Sequence, residues 1–197
     1  MSFLDKLFGN NRSDIRDAQR IYQYTMKQSR HPDFFGTGRF PDNYDGRIDC
    51  LTLNLATIMH RLRDFDVNGA RLSQALFDVL KDDFEIALRE EGLSDKGVAK
   101  RIKPMIQLFY TRLKTYDSFL NGSQIASDDV IAHHKDRIED RADEAWPEIW
   151  DSFETIFQKK LTDYMRNLSQ TLYNMSLGEI ALTRFAFPNL DPDNSQS

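Results

Sequence analysis

The sequence has a single cysteine, Cys50, among its 197 residues. One cysteine cannot form an intramolecular disulfide, and it cannot supply a multi-cysteine zinc site. A reducing compartment is the natural setting for such a chain. Because Cys50 lies within a stretch of apolar periodicity, we predict a buried, inert thiol rather than a nucleophile.

Long apolar runs and an excess of positive charge are also missing. No run approaches the roughly 18 residues that a membrane-spanning helix needs. Residues 1–9 are too short and too acidic for a signal peptide, and they lack the arginines and serines of a transit peptide. The 26 basic and 31 acidic residues give a net charge of −5, so nucleic acid is not expected as the main partner. These absences predict a cytoplasmic protein.

The N-terminal segment is amphipathic, since Phe3, Leu4, Leu7 and Phe8 have helical spacing before Gly9. Such a segment can dip into a membrane surface, which would place the protein at the periphery of the inner membrane. The alternative is a frayed start that docks weakly on the body. The polar face of the segment is not basic, which favours this second interpretation.

Motifs of catalysis and of cofactor binding are absent as well. The chain has no glycine-rich phosphate loop, no dinucleotide fingerprint and no nucleophile elbow. His133 and His134 are adjacent and point to different sides of a helix, so they do not predict a metal site. Asp78 and Asp82 have the spacing of a carboxylate pair, but a charge run of this kind is usually a solvated face. We predict no enzymatic activity, no metal and no cofactor.

Apolar residues recur with helical spacing along most of the chain, and no alternating series predicts a strand. Pro104 lies inside one periodic stretch, which predicts a kink or a break there. The predicted fold is all-α, a single domain of about six helices. The predicted helices span residues 13–30, 46–64, 70–90, 94–120, 127–142 and 147–175. The predicted boundaries are an N-terminal segment at 1–12, a helical domain at 13–187 and a polar, disordered tail at 188–197.

A loop from Pro32 to Gly46 separates the first two predicted helices, because it is rich in turn formers. It also holds four aromatic residues, Phe34, Phe35, Phe40 and Tyr44. Either these rings pin the loop to the body, or they form part of a binding surface. Asp45 is expected to cap the helix that follows.

Three blocks of sequence resemble one known family. The first is Arg30-His-Pro-Asp-Phe-Phe, then Phe40-Pro-Asp-Asn-Tyr-Asp-Gly-Arg-Ile48, before a leucine-rich helix that closes at Arg61-Leu62. The second is Leu76-Phe-Asp78, Asp83, Leu88-Arg-Glu90 and Gly92-Leu-Ser-Asp95; the third is Phe109-Tyr110, Arg112 and Tyr116. Their order and spacing, over residues 20–120, resemble the ubiquinol–cytochrome c reductase chaperones, in a bacterial form.

The resemblance implies a non-enzymatic chaperone that assists assembly of the cytochrome bc1 complex. Its expected partner is newly made cytochrome b or another bc1 subunit. The alternative is a general helical adaptor or scaffold with a different protein partner, which the acidic helix over residues 70–91 suggests.

A chaperone for a membrane subunit must shield apolar segments, so we expect aromatic walls and polar anchors. The candidate protein-binding residues are Phe34, Phe35, Phe40, Pro41, Asp42, Tyr44, Asp45, Arg47, Asp83, Arg89, Asp95, Phe109, Tyr110 and Arg112. The alternative for Arg47, Asp83, Arg89 and Asp95 is a set of internal salt bridges that fix the loop to the helices.

Overall fold

The computed structural model describes residues 12–124 and 150–191. Within these ranges the chain forms six α-helices, three short 3-10 turns and no β-strand, which confirms the all-α prediction. The helices are α1 (Arg12–Gln28), α2 (Tyr44–Leu62), α3 (Asp66–Glu90), α4 (Asp95–Gln124), α5 (Thr155–Tyr173) and α6 (Leu177–Ala181). The helix predicted over residues 127–142, with His133 and His134, lies outside the described residues.

Helix α2 is the centre of the fold, and it is buried on nearly every side. Its buried positions include the polar residues Asp49, Thr52, Asn54 and Thr57 as well as its leucines. A helix that is buried all round lies inside a bundle rather than on its surface. Helices α1, α3, α4 and α5 all contact it, so four neighbouring helices fix the position of α2.

Helix α4 runs without interruption through Pro104, so of the kink or break that we predicted there, the break is wrong. Proline removes one backbone donor and leaves the carbonyl one turn earlier without its partner. That carbonyl belongs to Lys100, and both Lys100 and Pro104 are exposed. Water can therefore satisfy it, and the helix continues.

Helix α5 starts later than the apolar pattern predicts, at Thr155 rather than near residue 147. Residues 150–152 form a 3-10 turn, and Glu154 has an extended backbone. The Glu154 N–H donates to the carbonyl of Gly38 in the aromatic loop, at 2.8 Å. This long-range bond takes a donor that helix formation would otherwise use, which explains the shorter helix.

The C-terminal segment packs back on the bundle, and this packing continues past residue 187, where the polar tail was predicted to begin. Tyr24 donates from its hydroxyl to the carbonyl of Phe185 at 2.8 Å. Leu190 is buried, and Asp191 pairs with Lys160 and with Arg39. The chain is therefore packed at least to residue 191, and residues 192–197 lie outside the description.

Cys50 is fully buried, as predicted, and burial raises the pKa of its thiol well above the ordinary range. None of the described helices combines the length and the apolar character that crossing a membrane requires. The N-terminal segment with Phe3 and Phe8 is outside the described residues.

Candidate functional site

Two of the four loop aromatics belong to the core. Phe34 has no exposed surface, and its ring meets the edge of Tyr164 at a centroid distance of 5.2 Å. Phe40 is 1% exposed and packs against Phe153 at 4.9 Å. These two rings pin the loop to α5 and to the segment just before it, which is the first of the two alternatives.

The segment from Pro41 to Arg47 is a compact turn into α2. Asn43, and not Asp45 as predicted, caps the helix, because its side chain accepts from the Gly46 N–H at 2.9 Å. Arg47 donates from two nitrogens to one carboxylate oxygen of Asp42, at 2.8 and 2.9 Å. The segment from Pro41 to Arg47 therefore forms a turn. Its Arg47–Asp42 ion pair is exposed to solvent, and such pairs contribute little to stability.

Gly46 is required by close approach rather than by an unusual backbone angle. A Cβ atom at this position would lie 2.1 Å from the carbonyl oxygen of Pro41. No side chain can be placed there unless the turn opens. The glycine of the turn motif thus fixes how closely Pro41 packs on the first turn of α2.

A groove of about 700 Å³ opens between the N-terminal half of α2, the C-terminal half of α3 and the N-terminal half of α4. We call this cavity the groove. Its apolar walls consist of Ile48, Phe84, Leu88, Met105, Leu108 and Phe109. Tyr44 and Leu108 are 41% and 47% exposed. The groove therefore presents a mostly apolar lining with accessible side chains at its edge, Tyr44 and Leu108 among them.

A buried ion pair lies among the lining residues of the groove. The carboxylate of Asp49 on α2 pairs with the guanidinium of Arg112 on α4, and both side chains are largely buried. Asp45 also lines the groove, and Glu91 pairs with Arg101 at 3.4 Å. A buried pair fixes relative positions more than it adds stability, so Asp49–Arg112 sets the distance between two walls.

Tyr44 separates the groove from a second cavity of about 350 Å³, which lies between the aromatic loop, α1 and α3. Ile48 and Phe84 line both cavities. Partial burial raises the pKa of the Tyr44 hydroxyl, and the nearby Glu91 and Asp83 carboxylates add to the effect. The hydroxyl is therefore a neutral donor at physiological pH.

The second cavity also contains Asp83, which accepts a hydrogen bond of 2.6 Å from the hydroxyl of Tyr22. Burial is the main cause that raises the Tyr22 pKa above its ordinary range, and the bond to Asp83 acts in the same direction. Asp83 thus joins α1 to α3. A third cavity of about 510 Å³ shares Arg30, Asp42 and Arg47 with the second and adds Phe35.

The structure brings eight of the fourteen predicted residues to these three adjoining cavities. Lining residues among the candidates are Phe35, Asp42, Tyr44, Asp45, Arg47, Asp83, Phe109 and Arg112. Arg89 and Asp95 lie elsewhere, where they approach to 3.8 Å across the turn between α3 and α4. Pro41 packs on Gly46.

Phe109 and Tyr110 were predicted together, but they face different sides of α4. Phe109 is buried and lines the groove, whereas Tyr110 is 49% exposed and its ring lies 5.0 Å from that of Phe77. Tyr110 lines a separate cavity with Met59 and Arg63. Adjacent residues on a helix point about 100° apart, and here the two rings line different cavities.

Sequence reasoning missed several walls of the groove, namely Phe84, Leu88, Met105 and Leu108. They belong to the apolar stripes of α3 and α4, where a groove residue has the same spacing as a core residue. Among the described residues no cluster of three or more side chains could hold a metal ion. The arrangement offers apolar side chains, one exposed aromatic side chain at the edge and a buried ion pair, which suits the recognition of another chain.

The chain is similar to known proteins in both sequence and structure. The sequence model of the family described as ubiquinol-cytochrome C chaperone matches residues 37–187. No curated protein matches the chain. The crystal structure of the Cbp3 homolog from Brucella abortus is similar, with a TM-score of 0.66 and 22% sequence identity, over 97% of this chain and 99% of that one. This likeness supports the fold, and the family match covers most of the chain. The chain belongs to the ubiquinol-cytochrome C chaperone family.

Proposed function

We propose that this protein assists assembly of the cytochrome bc1 complex by holding an apolar segment of newly made cytochrome b in the groove. The observation that carries the proposal is the family match over residues 37–187, which contains every residue of the groove from Tyr44 to Arg112. The proposed role is binding, and no chemical step is assigned to the site.

The size of the groove limits what it can hold. A volume of about 700 Å³ is that of a typical small-molecule site, and a transmembrane helix is roughly 30 Å long. The groove therefore suits a few large apolar side chains from one face of a client helix. Met105 in its wall is flexible and polarizable, so it adapts to side chains of different shapes.

The polar groups of the site fit this reading. Asp49 and Arg112 neutralise each other inside the groove, so this buried pair presents no net charge to an apolar client. The Tyr44 hydroxyl stands at the edge, where it can donate to a client carbonyl. Tyrosine has an apolar ring and a polar hydroxyl, so it suits the boundary between an apolar cavity and solvent.

Site-specific photocrosslinking in cells tests the proposal. A photoreactive side chain at Tyr44 or Leu108 should crosslink to cytochrome b during its synthesis, because both positions are exposed at the groove. The matched control is Ile156 on α5, which is 69% exposed and outside the groove. Capture of an unrelated protein at Tyr44 and Leu108, with no cytochrome b, would favour the adaptor alternative.

A second measurement connects binding to assembly. Leu108→Asp places a charge in the apolar wall and should reduce haem-containing bc1 complex severalfold in a strain that depends on this chain. Because Leu108 is half exposed, the variant should lose less than about 1 kcal/mol of stability. Ile156→Asp should leave the complex at its normal level. Normal haem spectra in the Leu108→Asp strain would contradict a role for the groove.

A further inference from the structure

The outer face of α4 carries a row of lysines. Lys96, Lys100, Lys103 and Lys114 are all exposed, and they fall at intervals that place them on one side of the helix. We call these four residues the lysine stripe. Gln107 and Tyr110 occupy the remaining positions of the same row, and both are exposed. No carboxylate stands in the row between Lys96 and Lys114.

The region around the lysine stripe is positively charged, whereas the chain as a whole is negatively charged. Residues 95–114 contain six basic side chains and one acidic side chain, a net charge of +5. Because the whole chain has a net charge of −5, the other residues together carry −10. Overall charge therefore cannot draw this protein to an anionic partner, and any such binding must come from a local surface.

Neither the fold nor the groove accounts for the stripe. Within the described part of the chain, none of the four lysines forms an ion pair, and none lines the groove or its neighbouring cavities. The arginines of the same helix behave differently. Arg101 pairs with Glu91, and Arg112 pairs with Asp49. The four lysines are the basic residues of α4 that form no ion pair within the described residues.

The shape of the stripe indicates the class of partner. From Lys96 to Lys114 the row is about 27 Å long, at 1.5 Å per residue, and it lies on the exposed outer face of the helix. Lysines are flexible point charges, whereas recognition of single phosphates or bases favours the rigid fork of arginine and a concave site. Tyr110, 49% exposed in the same row, is a residue type enriched at membrane–water interfaces.

We propose that the lysine stripe binds the surface of an anionic phospholipid membrane. The stripe would lie along the headgroups, with Tyr110 at the level of the interface. Pro104 is adjacent to Lys103 and lines the groove, so the groove would open beside the membrane. The inference rests on the charges of α4 and does not require the proposed function, although a client that enters a membrane would be met at its surface.

Vesicle cosedimentation of the full chain tests the inference. Vesicles of phosphatidylcholine alone are compared with vesicles that also contain phosphatidylglycerol. The unmodified chain should bind the anionic vesicles and not the neutral ones. Raising the salt concentration from about 0.01 M to about 0.5 M should release it, because the Debye length falls from about 30 Å to a few ångströms.

The decisive variant replaces all four lysines of the stripe with glutamine. Its partition onto anionic vesicles should fall at least about tenfold, since each lysine near such a surface contributes about a fivefold change. The control variant removes four exposed positive charges elsewhere: Arg12→Gln, Arg16→Gln, Lys27→Gln and Lys159→Gln. Its partition should change less than about twofold. Circular dichroism establishes that both variants are folded.

Three outcomes would overturn the inference. The first is no binding of the unmodified chain to anionic vesicles at low salt, and the second is an equal loss of binding in both quadruple variants. The third is stripe-dependent binding to an RNA homopolymer with none to the vesicles, which would assign the stripe to nucleic acid. None of these results bears on crosslinking from the groove, so the two proposals fail separately.

Discussion

The hydroxyl of Tyr164 on α5 donates a hydrogen bond of 2.6 Å to the side-chain oxygen of Asn54, in the middle of α2. Asn54 has no exposed surface, and its amide nitrogen donates to Ser29 at 3.1 Å and to the carbonyl of Cys50 at 3.0 Å. The asparagine therefore joins α5 to the end of α1 through the central helix. A buried polar group satisfied in this way specifies one arrangement of its neighbours.

Asn54→Ala should lower the free energy of unfolding by about 2–4 kcal/mol, because it opens a cavity and leaves the Tyr164 hydroxyl without its acceptor. Tyr164→Phe removes only the hydroxyl and should lower it by about 1–2 kcal/mol. Urea denaturation measures both. In the double variant the two losses should not add, since the same bond is removed twice. Simple additivity would mean that the bond is not formed.

The Asp49–Arg112 pair offers a second test, which separates a structural pair from a client-binding arginine. Arg112→Ala leaves a buried carboxylate without its counter-charge and should destabilise the chain by about 3–5 kcal/mol. Asp49→Leu combined with Arg112→Met replaces the pair by apolar side chains and should be far less destabilising than either single change.

The same double variant also carries a functional outcome. If the pair only positions the walls of the groove, the folded double variant should still crosslink to the client from Tyr44. Loss of crosslinking with retained stability would mean that Arg112 contacts the client, contrary to the structural role assigned here.

Much of the helical architecture can be predicted from the sequence, because apolar spacing reports which side of a helix is buried. The stripe from Ile48 to Leu62 predicts α2 to within about two residues at each end. The turn around Gly46 was part of the resemblance to the chaperone family, and the match of the family model to residues 37–187 confirms that family. Both features depend on residues that are close together in the sequence, so the spacing of apolar and turn-forming residues predicts them.

The features that escaped prediction depend on contacts between distant residues. The start of α5 is set by the bond from Glu154 to Gly38, which spans more than a hundred residues. The groove walls Phe84 and Leu88 have the same apolar spacing as core residues, so only packing shows that they face a cavity. The separation of Phe109 from Tyr110 likewise needs the neighbours of α4 to be known.

Buried tyrosines predict how stability depends on alkaline pH. Burial raises the pKa values of Tyr22, Tyr116 and Tyr164 above the ordinary value near 10. In the unfolded chain these hydroxyls lose their protons near pH 10, whereas in the folded chain they keep them. Their contribution is therefore fully present below about pH 10 and is lost as the pH rises above it.

The free energy of unfolding should fall above about pH 10 by up to about 1.4 kcal/mol per pH unit for each such tyrosine. Urea denaturation from pH 8 to pH 11 (roughly the range around the unfolded pKa) measures the slope. Tyr22→Phe should make the fall shallower, and Tyr173→Phe, at an exposed position, should not. An unchanged slope in Tyr22→Phe would contradict the burial of that hydroxyl.

The turn that leads into α2 provides the last prediction. A Cβ at Gly46 would overlap the backbone oxygen of Pro41, which cannot rotate away as a side chain can. Gly46→Ala should therefore lower the free energy of unfolding by about 2 kcal/mol or more. Gly178 is the matched control, because it is also helical and nothing lies within 4 Å of its would-be Cβ. Gly178→Ala should be neutral or slightly stabilising, since alanine favours a helix. Equal effects of the two substitutions in urea denaturation would show that Pro41 does not approach α2 as closely as the structure places it.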